Sequence, residues 1–216
     1  MKTHPLIAMS LRGFACSILV LLLSVSAGCG NQAPGNAPDT VREIPEGASA
    51  GTFGAGCFWC VEAVFELTDG VYRAVSGYMG GRPEEAVYEQ VVTGRTGHAE
   101  VVRVFYDSDA IDYAGLLDLF WRMHDPTTLD RQGPDVGPQY RSVIFYHDET
   151  QRTLAVESRE EWEAAGVFED PIVTAIEPAE AFYRAEDYHQ DYYARNPDAA
   201  YCRVVIRPKL RELGLE

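Results

Sequence analysis

The sequence predicts an α+β fold, a single domain built as a two-layer sandwich of helices on a mixed sheet with long loops. Three observations predict it. Ala99 to Tyr106 is β-branched and aromatic, which is the composition of a strand. Tyr113 to Met123 sets Leu116, Leu117, Phe120 and Trp121 at helical spacing. Strands and helices then interleave irregularly between Gly77–Pro83 and Gly133–Pro138, two loops dense in turn residues. Val71–Tyr78, Arg141–Tyr146 and Val173–Glu177 read as further strands, and Glu149–Ala164 and Ala185–Arg195 as further helices. No internal repeat is visible, and the stretch from Gly51, about 165 residues, is one domain's worth of chain.

Residues 1–28 do not belong to that globule. Lys2 and Arg12 precede an apolar stretch from Phe14 to Val25, and Ser26-Ala27-Gly28 supplies small residues for cleavage. The apolar stretch is short for a membrane span of about 20 residues, so it reads as a signal peptide rather than an uncleaved anchor. Ser-Ala-Gly-Cys29 resembles a bacterial lipoprotein box, although Ser26 stands where Leu or Val is commoner, so cleavage by an ordinary signal peptidase stays open beside it. That reading makes Cys29 a lipidated first residue and the protein an exported, membrane-anchored one, since each buried methylene contributes about 0.8 kcal/mol. Residues 29–50, rich in Pro, Gly, Ala, Asn and Asp, read as a flexible tether, and 51–216 as the catalytic domain.

The whole chain carries 18 basic and 33 acidic residues, a net charge of −15. Such a surface argues against a nucleic-acid partner, because phosphate neutralisation needs Lys and Arg. It identifies no other partner.

The most informative stretch is Gly54-Ala55-Gly56-Cys57-Phe58-Trp59-Cys60-Val61-Glu62. Glycines let the chain turn sharply after Phe53, and Cys57, Val61, Val64 and Phe65 fall on one helical face. Cys57 therefore sits at a helix start, where free N–H groups and the macrodipole favour an anion and lower a thiol pKa. The adjacent Phe58 and Trp59 suit the wall of a small apolar pocket. Other readings of Cys57-x-x-Cys60 stand beside this one. It could be half a zinc site, although no second pair exists, or a static disulfide of an exported protein. It could also be a thioredoxin-type motif, for which Phe-Trp is bulky.

On the strand after Gly97-His98, Glu100 shares a face with Val102 and Val104. If that face is inward, desolvation raises the carboxyl pKa and leaves a neutral proton donor; if the strand end is exposed, Glu100 is simply solvated. A sulfoxide reduction needs both a thiol to attack sulfur and an acid to protonate the departing oxygen.

At these residues the chain resembles the peptide methionine sulfoxide reductase A family. Gly56-Cys57-Phe58-Trp59 is similar to its nucleophile motif. Gly77-Tyr78-Met79-Gly80-Gly81, Gly97-His98-Ala99-Glu100, Phe120-Trp121 through Asp125-Pro126, Arg131-Gln132-Gly133 to Ser142, and Tyr188-His189-Gln190-Asp191-Tyr192 follow in order. The likeness runs from about Gly51 to Lys209. It implies that Cys57 is the nucleophile and Glu100 the acid. It implies that Phe58 and Trp59 hold the substrate methyl, that Tyr88 and Tyr140 aim hydroxyls at the sulfoxide oxygen, and that Asp135 orders the site. It also implies the S epimer of methionine sulfoxide as substrate, free or in oxidised proteins and peptides, and no metal or organic cofactor. An external dithiol, thioredoxin or thioredoxin-like, would recycle the enzyme after a second thiol forms a disulfide.

Two departures from the family pattern stand out. Ala200-Tyr201-Cys202 is followed by Arg-Val-Val-Ile-Arg-Pro-Lys209 rather than a glycine-rich tail, which suggests packed structure around Cys202, and Pro138 replaces a usual Thr. Family position makes Cys202 the first partner of Cys57. Cys60 is one helical turn away, but residues i and i+3 hold Cβ atoms about 5–6 Å apart, against about 3.8 Å for a disulfide. A relay through Cys60 stays open. The rival functions are a general thiol–disulfide oxidoreductase using Cys57 and Cys60, and a non-catalytic exported binding module.

Overall fold

The computed structural model describes residues 43–216. The expected signal segment, Cys29 and most of the tether lie outside the described residues. In chain order the elements are β1 (Ser49–Ala55), α1 (Phe58–Glu66), β2 (Val71–Met79), α2 (Tyr88–Val91), β3 (Ala99–Tyr106) and α3 (Tyr113–Met123). There follow β4 (Arg131–Gln132), β5 (Asp135–Val136), β6 (Ser142–Tyr146), α4 (Glu149–Ala165), β7 (Ala175–Pro178), β8 (Tyr183–Arg184) and α5 (Tyr192–Arg195). A π-helical turn, Cys202–Ile206, then runs into α6 (Arg207–Glu212).

Six strands form one mixed sheet in the order β7-β6-β1-β3-β2-β8, antiparallel except for β6 beside β7. The α+β reading holds. β1 sits near the centre, and its Phe53, paired with Val102 on one side and Ile144 on the other, anchors the core. Its ring packs on Phe65, Tyr113 and Phe120 at 5.3–5.9 Å, joining α1 and α3 to the sheet. Val61, Val64 and Phe65 of α1 and Leu116, Leu117, Phe120 and Trp121 of α3 complete that core. A smaller apolar cluster on Met79, Ala99, Val101, Val143 and Phe145 is covered by Ala175, Ala179 and Phe182. Ala99 to Val102 are therefore buried in succession. Asp112 and Asp148 cap α3 and α4 by accepting N–H bonds at 2.8 Å, as short acidic side chains do at helix starts.

Three boundaries differ from the sequence reading. Ser49 and Ala50, expected in the tether, pair with Tyr106 and Phe105 of β3, and Gln151 Nε2 donates to the Ala50 carbonyl at 2.7 Å. The Gly- and Ala-rich composition of β1 hides a strand whose backbone bonds are satisfied on both sides. The strand read over Val71–Tyr78 holds and runs one residue further, to Met79, into the turn-rich motif, and Gly77 lets Phe182 approach where a Cβ would lie 2.3 Å from its ring. The third difference is the helix expected over Ala185–Arg195, of which only α5 is helical. Asp191 is left-handed (φ 54°), and the Gln190 amide is spent on tertiary bonds. Its oxygen accepts from the Ser76 N–H, and its nitrogen donates to the carbonyls of Ser76 and Ala185. The C-terminal segment is packed, as Val-Val-Ile suggested, with Cys202, Ile206 and Leu210 buried and Val204 facing out.

Candidate active site

Chain direction reverses where β1 hands over to α1. Gly56 takes φ 93°, open to glycine at little cost, and a Cβ there would sit 2.6 Å from Gln132. Cys57 is then the N-cap of α1, its carbonyl accepting from the Cys60 and Val61 amides at 3.0 and 3.4 Å. The helix-start placement is as predicted, and the half-buried sulfur accepts the Trp59 N–H. The low thiol pKa is not. Burial first, then the Glu100 carboxylate, push the Cys57 thiol well above its ordinary value, against the opposing pull of the Trp59 N–H and the Tyr201 hydroxyl. Removing the thiolate from water outweighs one helix turn of oriented N–H groups.

Glu100 lies on the β3 face under α1, with Val102 and Val104. It is 2% exposed, and its Oε2 accepts the Phe58 N–H at 3.0 Å. Burial raises its pKa to about 8, even though the Phe58 N–H pulls the other way. The solvated alternative is excluded, and Glu100 is predominantly a neutral acid at pH 7.

Aromatic rings surround this pair. Trp59 stacks on Tyr192 (centroids 3.6 Å, planes 5° apart), meets the edge of Tyr201, and donates its indole N–H to His189 Nδ1 at 3.0 Å. Phe58 is 1% exposed, its ring against Tyr78 and His189, whereas Trp59 is only partly buried. Burial first, then the charges of Glu100 and Cys57, raise the hydroxyl pKa of Tyr88 and of Tyr140, so both phenols are neutral and within electrostatic reach of that pair. Asp135, on β5, accepts the Tyr201 hydroxyl at 2.7 Å and is itself raised by burial.

Cys57, Cys60 and Cys202 are free thiols. Cys60 is buried and pushed up to about 11 by desolvation, with Lys209 opposing and Asp135 and Cys202 adding. Cys202 is buried in the π-helical turn and raised by desolvation against Arg207. Among the described residues no three His, Cys, Asp or Glu side chains gather where they could hold a metal ion.

Comparison with known proteins matches residues 49–215 to the family model described as peptide methionine sulfoxide reductase. The chain belongs to that family. It is 57% identical to the peptide methionine sulfoxide reductase MsrA of Natronomonas pharaonis over 159 residues, 74% of this chain and 89% of that one. To the enzyme of the same name from Methanothermobacter thermautotrophicus it is 62% identical over 146 residues, 68% and 86% of the two chains. Mxr1 of Saccharomyces cerevisiae in its reduced form superposes with a TM-score of 0.68 at 37% identity, covering 73% of this chain and 91% of Mxr1. Mxr1 in complex with Trx2 matches with a TM-score of 0.50 at 29% identity, over 71% of this chain and 91% of that one. The protein is thus an oxidoreductase that reduces methionine sulfoxide with a thiol.

The reductase site also contains residues with no role in the sequence reading. Glu186 accepts both the Tyr88 N–H and the Tyr78 hydroxyl at 2.9 Å. Tyr192, His189 and Tyr201 frame Trp59. The Tyr-His-Gln-Asp-Tyr motif marked this region, but neither period 2 nor period 3.6 assigns work to irregular backbone. Tyr201 becomes legible only through its contacts.

Glu100 fixes the pH dependence of stability. Its folded value of about 8 exceeds the ordinary 4.5, so its stabilising contribution is complete below 4.5 and is lost as pH rises through 8. Glu62, raised to about 8 by burial, acts in the same direction. Glu100→Gln keeps an acceptor for the Phe58 N–H and cannot ionise. Urea unfolding is expected to find it as stable as the parent at pH 5 and more stable by at least about 1 kcal/mol at pH 9. Parallel stability profiles from pH 5 to 9 would contradict the neutral-acid assignment.

Proposed function

We propose that the enzyme acts on the S epimer of methionine sulfoxide, free and in oxidised proteins, with Cys57 as nucleophile and Glu100 as acid. The observation that carries this reading is a neutral carboxyl held on the Phe58 amide, one residue from the Cys57 thiol. Cys57 sulfur bonds to the sulfoxide sulfur while Glu100 protonates the sulfoxide oxygen. The oxygen then transfers to Cys57, giving sulfenic acid and methionine. The proton leaving the thiol balances the one Glu100 supplies, so the step is neutral overall. Tyr88 and Tyr140 donate to the oxygen as its charge develops, Asp135 holds Tyr201, and Trp59 packs the methyl.

A second thiol condenses with the sulfenic acid, releasing water, and an external dithiol reduces the resulting disulfide without a metal or organic cofactor. The complex of Mxr1 with Trx2 supports a thioredoxin-like donor for this chain as well. Cys202 is the proposed first resolving thiol. Tyr201, its neighbour, already reaches Cys57, and π-helical turns, rare overall, occur frequently at functional sites. The family match leaves a general disulfide oxidoreductase without support beyond Cys57-x-x-Cys60. Residues 1–28 are proposed as a lipoprotein-type signal, Cys29 as the lipid-bearing anchor to a bacterial membrane, and the chain up to Ser49 as the tether of an extracytoplasmic enzyme.

Dithiol consumption that depends on added sulfoxide tests the function. The S epimer is expected to support turnover and the R epimer not. Cys57→Ser abolishes turnover in a folded protein, and Glu100→Gln slows sulfenic acid formation by about 10²–10⁴-fold. Near-normal rates in either variant would remove that residue from the mechanism.

Peptide mapping after one equivalent of sulfoxide orders the thiols. Cys60→Ser is expected to form the Cys57–Cys202 disulfide at the parental rate. A Cys57–Cys60 bridge formed at that rate by Cys202→Ser would make Cys60 the first resolver.

Mass spectrometry of the mature protein is expected to find an acylated Cys29 as its first residue. An unmodified terminus elsewhere would refute the anchor.

A further inference from the structure

We infer that His189 is a positioning residue for substrate binding, its Nδ1 fixing the orientation of the Trp59 indole beside Cys57. The inference rests on the reading of Trp59 as the accessible pocket wall. Stacking on Tyr192 fixes the plane of the indole but leaves rotation within that plane soft, since parallel rings slide with little penalty. The hydrogen bond from Trp59 Nε1 to His189 Nδ1, at 3.0 Å, removes that freedom. An indole N–H can only donate, so Nδ1 must offer its lone pair, and the imidazole is the neutral tautomer with its proton on Nε2.

The surroundings enforce that tautomer. His189 is 1% exposed, and burial holds its pKa below the ordinary value while Glu186 and Glu89 pull the other way. Nε2 is buried without a hydrogen-bond partner, 3.9 Å from Glu186 Oε2. The unpaired Nε2–H is a cost to this tautomer, which the indole bond at Nδ1 and the packing of the ring faces offset. The imidazole also packs on Phe58 at 4.9 Å, Tyr88 at 4.6 Å and Tyr188 at 4.2 Å. Glu186, facing Nε2, accepts the Tyr88 amide. One buried ring thereby sets the indole by a hydrogen bond and supports the Tyr88 side of the pocket by contact.

Two near-isosteric substitutions separate the nitrogens. His189→Asn puts an acceptor near the Nδ1 position, whereas His189→Gln carries its amide out to the Nε2 position. The measurement is the half-saturating concentration of methionine S-sulfoxide for sulfenic acid formation in single turnovers. His189→Gln is expected to raise it about two- to tenfold, the range of one neutral hydrogen bond, with the saturated rate changing less. His189→Asn is expected to restore it to within about twofold of the parent. Trp59→Phe removes the indole N–H and should itself weaken binding, and in that background the Asn and Gln variants are expected to become equal. An Asn–Gln difference that persists without the indole would overturn the inference, as would equal binding by the two variants in the parent. A Gln variant that unfolds while Trp59→Phe stays folded would make His189 structural and overturn it too. Should Trp59→Phe alone bind normally, the pocket-wall reading of Trp59 fails, and this inference with it.

Discussion

The Phe58 amide and the Glu100 carboxyl, 3.0 Å apart, fasten the start of α1 to β3. A helix leaves its first N–H groups unpaired, and α1 has no side-chain cap of its own. A residue 42 positions away supplies the acceptor. The bond serves two needs at once, since it satisfies a buried donor and it brings an acid to the residue next to the thiol. It also survives either protonation state, because a carboxyl oxygen accepts whether or not its partner oxygen carries a proton. With the β1 strand leading into Gly56 and the packing of α1 on the core, this contact fixes Cys57 relative to the sheet.

The electrostatics follow from the same burial. Two potential anions share a site that water hardly enters, so each resists ionisation and each raises the cost for the other. The resting site therefore keeps its protons, a neutral acid beside a neutral thiol, rather than the preformed thiolate a bare helix terminus would suggest. That arrangement suits a reaction in which one proton must be delivered to oxygen and another must leave sulfur. Turnover does not require the buried site to hold net charge before substrate arrives.

Regular elements were the legible part of the sequence. The bounds of α3 follow from helical spacing and those of β3 from β-branched and aromatic composition, and Cys57 and Glu100 stand at a helix start and on a strand face. The low thiol pKa was a misreading of a different kind, since sequence shows the helix terminus but not the desolvation that opposes it. β1 was hidden because its glycines and alanines look like linker until they are seen hydrogen-bonded on both edges. The Ala185–Arg195 segment has helical composition, yet the Gln190 side chain and the left-handed Asp191 are committed to tertiary contacts, which override propensity. Glu186 and His189 lie on such irregular backbone, where no period reports what a side chain faces, and Tyr201 lies on a single helical turn too short to show one.

Tyr201 shows why the C-terminal segment is packed rather than loose. Its hydroxyl stands between the Cys57 sulfur and Asp135 Oδ2, and with one proton it can donate to only one of them at a time. The 2.7 Å bond to Asp135 ties the segment bearing Cys202 to the β4–β5 hairpin. A glycine-rich tail would have let a resolving cysteine wander. Here the residue before Cys202 is held by a half-buried hydrogen bond of order 1 kcal/mol, so the segment bearing Cys202 is tied to the rest of the domain on both sides, by Tyr201 to Asp135 and by buried Ile206 and Leu210 to the core.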